Sequence, residues 1–134
     1  MEGINQLTQR IIRAYYTVYN TLGYGFLEKV YENAMIAELR KIGLQGRRQV
    51  PIKVFYRDLQ VGDYFADIIV QDQVILELKA AETICEEHEL QLVNYLRATA
   101  IEYGLLLNFG KEPQIKRKIF ENKYKKSVPI RSIC

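Results

Sequence analysis

Two short apolar runs, separated by three polar residues, constrain this chain more than any other feature. Tyr64–Val70 (YFADIIV) and Val74–Lys79 (VILELK) are rich in β-branched, aliphatic and aromatic residues, with Gln71-Asp72-Gln73 between them. Read as a hairpin, they set Val70 against Val74 and Asp67 against Glu77, and the two-residue period puts Lys79 on the face of Glu77. Directly opposed side chains have Cβ atoms about 4.5–5.5 Å apart, where like charges are destabilising. Two carboxylates in strands otherwise suited to a core need a partner, a metal or a raised pKa. A hard divalent cation is the simplest answer. The competing reading is a surface pair between Glu77 and Lys79. The apolar flanks, typical of a strand covered on both faces, favour the buried alternative.

A chain of 134 residues can bury a substantial core and suits one domain over residues 1–134. The net charge of +3 decides little, but its distribution is uneven. From Lys111 onward eight Lys or Arg stand against two Glu, so this end carries +6 and the remainder −3. Such an end can meet a phosphate backbone or, equally, guard an edge strand against aggregation. Cys85, Cys134 and the lone His88 supply neither a metal quartet nor a disulfide framework, and a reducing cytoplasm fits best. No apolar run approaches the roughly 18 residues of a membrane-spanning helix.

Apolar spacing predicts a helix over residues 4–20 and, after Gly23-Tyr24-Gly25, a second over 26–42, closed by Gly43 as a helix C′ glycine. A strand is expected over 49–56, with a turn near Arg57-Asp58. Thr83-Ile84-Cys85-Glu86 has capping-box spacing and opens a third helix reaching about Ile101. Tyr103–Phe109 reads as a buried strand and Gln114–Phe120 as a basic edge strand, with residues from about 121 peripheral. The order ααβββαββ makes an α/β fold with a mixed sheet.

Three groups of residues can carry chemistry. Asp67 and Glu77 can supply the one or two carboxylates Mg²⁺ usually takes, with Lys79 beside them to orient or deprotonate a metal-activated water. Glu28 lies in the first turn of the second helix; by itself it is most simply a helix-start residue. Gln91 and Tyr95, four apart with His88 one turn earlier, share a helix face that alone would read as ordinary surface.

Taken in order, Glu28, Asp67, Glu77-Leu78-Lys79 and Gln91-Leu92-Val93-Asn94-Tyr95 resemble the PD-(D/E)xK nuclease superfamily, in the branch with a downstream Q-x-x-x-Y. Gly25-Phe26-Leu27-Glu28-Lys29-Val30-Tyr31 resembles the motif that names the GxxExxY protein family, and Gly104–Gly110 is similar to its closing strand. The resemblance runs from about Gln6 to Phe120, and Ala66 stands where the superfamily name has proline. It implies a restriction-endonuclease-like core, a mixed four- to five-stranded sheet flanked by helices. It further implies metal binding by Asp67 and Glu77, a catalytic Lys79, an accessory acidic ligand at Glu28 with Glu32 as its rival, and support from Gln91 and Tyr95.

The expected function is a Mg²⁺-dependent nuclease, with Mn²⁺ as an alternative ion, acting on DNA ahead of RNA. Arg47, Arg48, Lys116 and Lys118 are the candidate nucleic-acid contacts. The alternative is a binding module that keeps the nuclease fold and acts only with a partner, either a second copy or another protein. A weaker third reading is an unrelated hydrolase on a carboxylate-rich fold.

Overall fold

The computed structural model describes residues 2–125. The order is α1 (Ile4–Leu22), α2 (Glu28–Lys41), β1 (Gly46–Tyr56), β2 (Leu59–Val70), β3 (Val74–Lys79), α3 (Glu86–Arg97), β4 (Tyr103–Phe109) and β5 (Pro113–Ile119), closed by a 3-10 turn at Asn122–Tyr124. The strands form a five-stranded mixed sheet in the order β1-β2-β3-β4-β5. Only the β3–β4 pairing is parallel, and the other three are antiparallel. This is an α/β architecture consistent with a restriction-endonuclease-like fold.

Each layer follows from its side-chain spacing. Leu7, Ile11, Ala14, Tyr15 and Val18 form one stripe of α1, and Tyr31, Met35 and Leu39 one stripe of α2. Both stripes pack on one sheet face against Ile68, Val70, Leu76, Leu78, Leu105 and Leu107. The other face, with Ile69, Ile75 and Leu106, is covered by Leu92, Tyr95 and Leu96 of α3. The central strands β3 and β4 are therefore covered on both sides, which explains their unbroken apolar runs. Gly43 (φ 82°) closes α2 as expected: its N–H bonds to the Arg40 carbonyl and that of Leu44 to the Leu39 carbonyl. Among the described residues, no helix is long and apolar enough to cross a membrane.

The third helix departs from expectation at both ends. Its cap is Cys85, not Thr83: the Cys85 thiol accepts from the His88 amide, and His88 Nδ1 accepts the Cys85 N–H at 3.3 Å. Thr83 is held in the preceding loop because Gln114 bonds both its hydroxyl and the Ile84 amide. The helix ends at Arg97 with Ala98 as C-cap, four residues short of Ile101. Residues 121–125 lie at the surface and are tied to the segment between α3 and β4. The Asn122 amide bonds a Glu102 carboxylate oxygen at 2.8 Å, and Lys125 Nζ reaches the Thr99 and Ile101 carbonyls at 2.9 and 2.8 Å. The rest of that segment, with Lys126, Arg131 and Cys134, lies outside the described residues.

One irregularity sets the geometry of everything near Asp67. The β1–β2 ladder runs from Gly46↔Val70 to Arg48↔Ile68 and resumes at Val50↔Ala66, leaving no rung between Gln49 and Asp67. Gln49 adopts φ 51°, a left-handed conformation uncommon for a residue with a side chain. In consequence Ile68 packs on the α1/α2 side and Ala66 on the α3 side, although two residues apart on one strand they should share a face. The β2–β3 ladder stops at Ile68↔Leu76, the same point. Beyond it β1 and β2 continue as a two-stranded arm that leaves β3 behind.

Candidate active site

Asp67 and Glu77 lie where the arm separates from the sheet. The expected hairpin is present, with Val70 opposite Val74, and one more step would set Asp67 across from Glu77. Instead the two carboxylates replace the missing ladder bonds. The Asp67 amide donates to Glu77 Oε2 at 3.3 Å, and the Leu78 amide donates to Asp67 Oδ2 at 2.8 Å. Glu77 is only 4% exposed. Burial, then the neighbouring Asp67 charge, pushes its carboxyl up to about 9, against the weaker opposing pull of Lys79. Without a cation, Glu77 therefore holds its proton at neutral pH. Lys79, half-buried at the end of β3, has no ion-pair partner among the described residues.

The α3 side brings Gln91 and Tyr95 to the same place. Gln91 Nε2 donates to the Tyr95 hydroxyl at 2.9 Å. Tyr95 is buried, and its phenol is pushed up to about 12 by that burial, by the Glu77 charge and more weakly by Asp67, with the Gln91 hydrogen bond opposing. Both acids act on this phenol through space, so it lies near the pair. The Tyr64 ring packs against that of Tyr95 at 5.7 Å.

On the α2 side, Glu28, Lys29, Glu32, Gln49, Asp67 and Leu78 enclose a cleft of about 200 Å³. Gly25 and Tyr31 explain why α2 begins there. Gly25 takes φ 109°, and the Tyr31 hydroxyl donates to the Gly23 carbonyl at 2.7 Å and accepts the Phe26 N–H at 3.2 Å. The Tyr31 ring is buried and stacks on Phe109 at 4.2 Å. The glycine and tyrosine of the Gly25–Tyr31 motif thus pin the turn, and the first turn of α2 follows from it. Glu28 lines the cleft but is exposed. Glu32 is the buried acid, bonded to Lys29 Nζ at 2.9 Å and Gln49 Nε2 at 2.6 Å, with Arg48 at 3.8 Å. Glu32 stands three and seven residues before Met35 and Leu39 on the inward stripe of α2, a signal that favours it over a helix-start role.

The four basic candidates are not brought together. Arg47 pairs with Asp72, and Arg48 bonds Asn33 at 2.7 Å, both on β1. Lys118 pairs with Glu89 at 2.6 Å, and Lys116 is exposed, both on β5 at the opposite sheet edge.

Among the described residues, no three His, Cys, Asp or Glu side chains converge to hold a metal ion. The donor chemistry of the pair still fits Mg²⁺, which typically takes one or two carboxylates and completes its shell with water and substrate oxygen. A protonated, buried carboxyl beside a second carboxylate lacks compensating positive charge, which a divalent cation would supply.

Comparison with protein families decides the relationship. The model of the PD-(D/E)XK nuclease superfamily matches residues 5–119, from α1 through β5. The chain belongs to that superfamily. Its members are generally nucleases, act on nucleic acid and typically use divalent metals such as Mg²⁺. No curated protein matches the chain. Among solved structures it is similar to one described as the crystal structure of SSO0001, with 14% identity and a TM-score of 0.53. That similarity covers 87% of this chain and 59% of the other, so the chain spans less than two thirds of that structure's length, and the likeness is one of fold.

Proposed function

We propose that this chain is a Mg²⁺-dependent phosphodiesterase that cleaves nucleic acid, DNA ahead of RNA, in the manner of the GxxExxY branch of its superfamily. One observation carries the reading: Asp67 and Glu77 interlock through each other's strand at the break in the sheet, with Lys79 unpaired beside them. Asp67 and Glu77 would hold the cation, Mg²⁺ with Mn²⁺ as a substitute. The bound ion would supply positive charge to the scissile phosphate and lower the pKa of the attacking water.

The remaining work belongs to the protein. Lys79 orients the attacking water, and its ammonium offsets charge on the phosphoryl oxygens. Gln91 donates to the Tyr95 oxygen, leaving the phenol proton for a phosphate oxygen. That phenol stays protonated at every physiological pH. Glu28 reaches the cleft as an accessory acid, while Glu32 is tied to Lys29 and Gln49 and holds the break in the β1–β2 ladder. A larger activity loss in Glu32→Gln than in Glu28→Gln would reverse these two roles. The setting we propose is the reducing cytoplasm, consistent with the free Cys85.

The test is cleavage of labelled single-stranded, double-stranded and branched DNA, with an RNA control, in Mg²⁺, Mn²⁺ and EDTA. Metal-dependent cleavage that disappears in Lys79→Ala supports the reading, and cleavage retained by that variant refutes it. The alternative, a binding module that acts only with a second copy or another protein, draws on the scattered, ion-paired cations. Salt-sensitive binding without cleavage would favour it.

A further inference from the structure

A second concavity opens between the β1–β2 arm and α3. It is a groove of about 920 Å³, well over four times the cleft at Glu28. One wall is Val54, Val61 and Tyr64 of the arm; the other runs along α3 from Glu87 to Ala98. Gln91 and Tyr95 belong to this groove as well as to the candidate active site, so the two are continuous. Its walls expose apolar surface that a water-facing groove would not be expected to carry. Tyr64 is 48% exposed, Val61 57%, Leu90 52% and Tyr124 58%. Lys53, Arg97 and Lys125 also line it against the single carboxylate of Glu87.

This combination selects among ligands. A duplex offers mainly phosphates, which call for clustered free cations, and the basic residues at the two sheet edges are separated and largely ion-paired. An unpaired strand offers base faces too. These stack on aromatic rings while a few cations follow the backbone. We propose that the groove between the arm and α3 is a binding track for an unpaired nucleic-acid strand, with Tyr64 and Tyr124 as base-stacking platforms and Lys53 and Arg97 meeting its phosphates. The inference rests on the nuclease reading and names the form of its substrate: a single strand, flap or overhang, delivered along α3 to Asp67 and Glu77. Tyr64, whose ring packs at a tilt on that of Tyr95, is the platform nearest the acids.

The experiment measures anisotropy of a labelled oligo-dT and of a hairpin duplex of equal length, in EDTA so that nothing is cut. Wild type, Lys79→Ala, Tyr64→Ala, Tyr64→Phe and Tyr124→Ala are compared. Expected are tighter binding of oligo-dT than duplex and a loss of about 5- to 100-fold for each Tyr→Ala change. Tyr64→Phe, which keeps the ring and its packing on Tyr95, should retain affinity and so separates stacking from misfolding. Equal affinity for both nucleic acids, no binding, or unchanged affinity in both Tyr→Ala variants overturns the track; no binding would leave the groove to a protein partner. Lys79→Ala that still binds oligo-dT supports the track even if the wild type never cleaves DNA. That result keeps a failed nuclease reading distinct from a failed groove.

Discussion

Replacing Glu77 with Gln should make the metal-free protein more stable, by an amount that depends on pH in a defined way. The Glu77 carboxyl titrates near 4.5 when freed by unfolding and near 9 in the fold. Between those values the folded state holds a proton that the unfolded state releases, so rising pH draws the chain toward unfolding. The stabilisation from the proton is complete below pH 4.5 and is lost progressively up to about pH 9. At pH 7 the accumulated cost is about 3 kcal/mol, from some 2.5 pKa units at about 1.4 kcal/mol each. A glutamine does not titrate, keeps an oxygen to accept the Asp67 amide, and can donate its NH₂ where the protonated carboxyl bonds Asp67. Thermal unfolding in EDTA should therefore show the variant and wild type nearly equal at pH 4.5. At pH 7 the variant should melt about 10 °C higher. Adding Mg²⁺ should raise the wild-type melting temperature and leave the variant's nearly unchanged, because the cation takes the place of the proton. A variant less stable than wild type at pH 7, or a difference that does not vary with pH, would refute the assignment of Glu77 as a buried acid strained by Asp67.

Lys79→Ala should lower the cleavage rate by about 10²- to 10⁴-fold, checked by single-turnover assays, with a melting temperature close to wild type because the ammonium has no ion-pair partner among the described residues. Tyr31→Phe should cost about 1–2 kcal/mol in a urea titration, since it leaves the Gly23 carbonyl and Phe26 N–H without their partner. Gly110→Ala should destabilise by about 1–3 kcal/mol, read by the same titration, because the added Cβ would clash with the Ala81 carbonyl oxygen, a backbone atom that cannot swing aside.

The elements legible in the sequence are those fixed by local pattern. The β2–β3 hairpin, its three-residue loop and the Val70–Val74 pairing follow from alternation and turn chemistry alone. The buried β4 follows from its apolar run, and the end of α2 from Gly43. What was not legible depends on residues distant in the chain. Gln49 takes a left-handed conformation, in which Glu32, seventeen residues earlier, accepts its side-chain amide. Thr83 looks like a helix cap until Gln114, thirty-one residues later, engages its hydroxyl. Glu28 and Glu32 lie one turn apart on α2; the spacing to Met35 and Leu39 points to Glu32, and the turn pinned by Tyr31 starts the helix so that Glu28 stays exposed. Arg47 and Lys118 look alike as basic residues, and the strand order alone separates them across the sheet.

The break in the ladders also explains how two acids can sit so close in a sheet without leaving its backbone unsatisfied. In a regular sheet, the Asp67 and Leu78 amides would bond main-chain carbonyls of neighbouring strands, and both carboxyl groups would need partners elsewhere. Here the arm turns away at Gln49 and Asp67, and the freed amides donate to the carboxylates. The same turn moves Ala66 to the α3 core and opens the sheet on both sides, toward Glu28 and Glu32 in one direction and Gln91 and Tyr95 in the other. Each acid is therefore held by a backbone donor while the pair remains short of positive charge. A site built in this way is positioned before any cation arrives, so a cation that binds there would need to displace only a proton and not rearrange the strands.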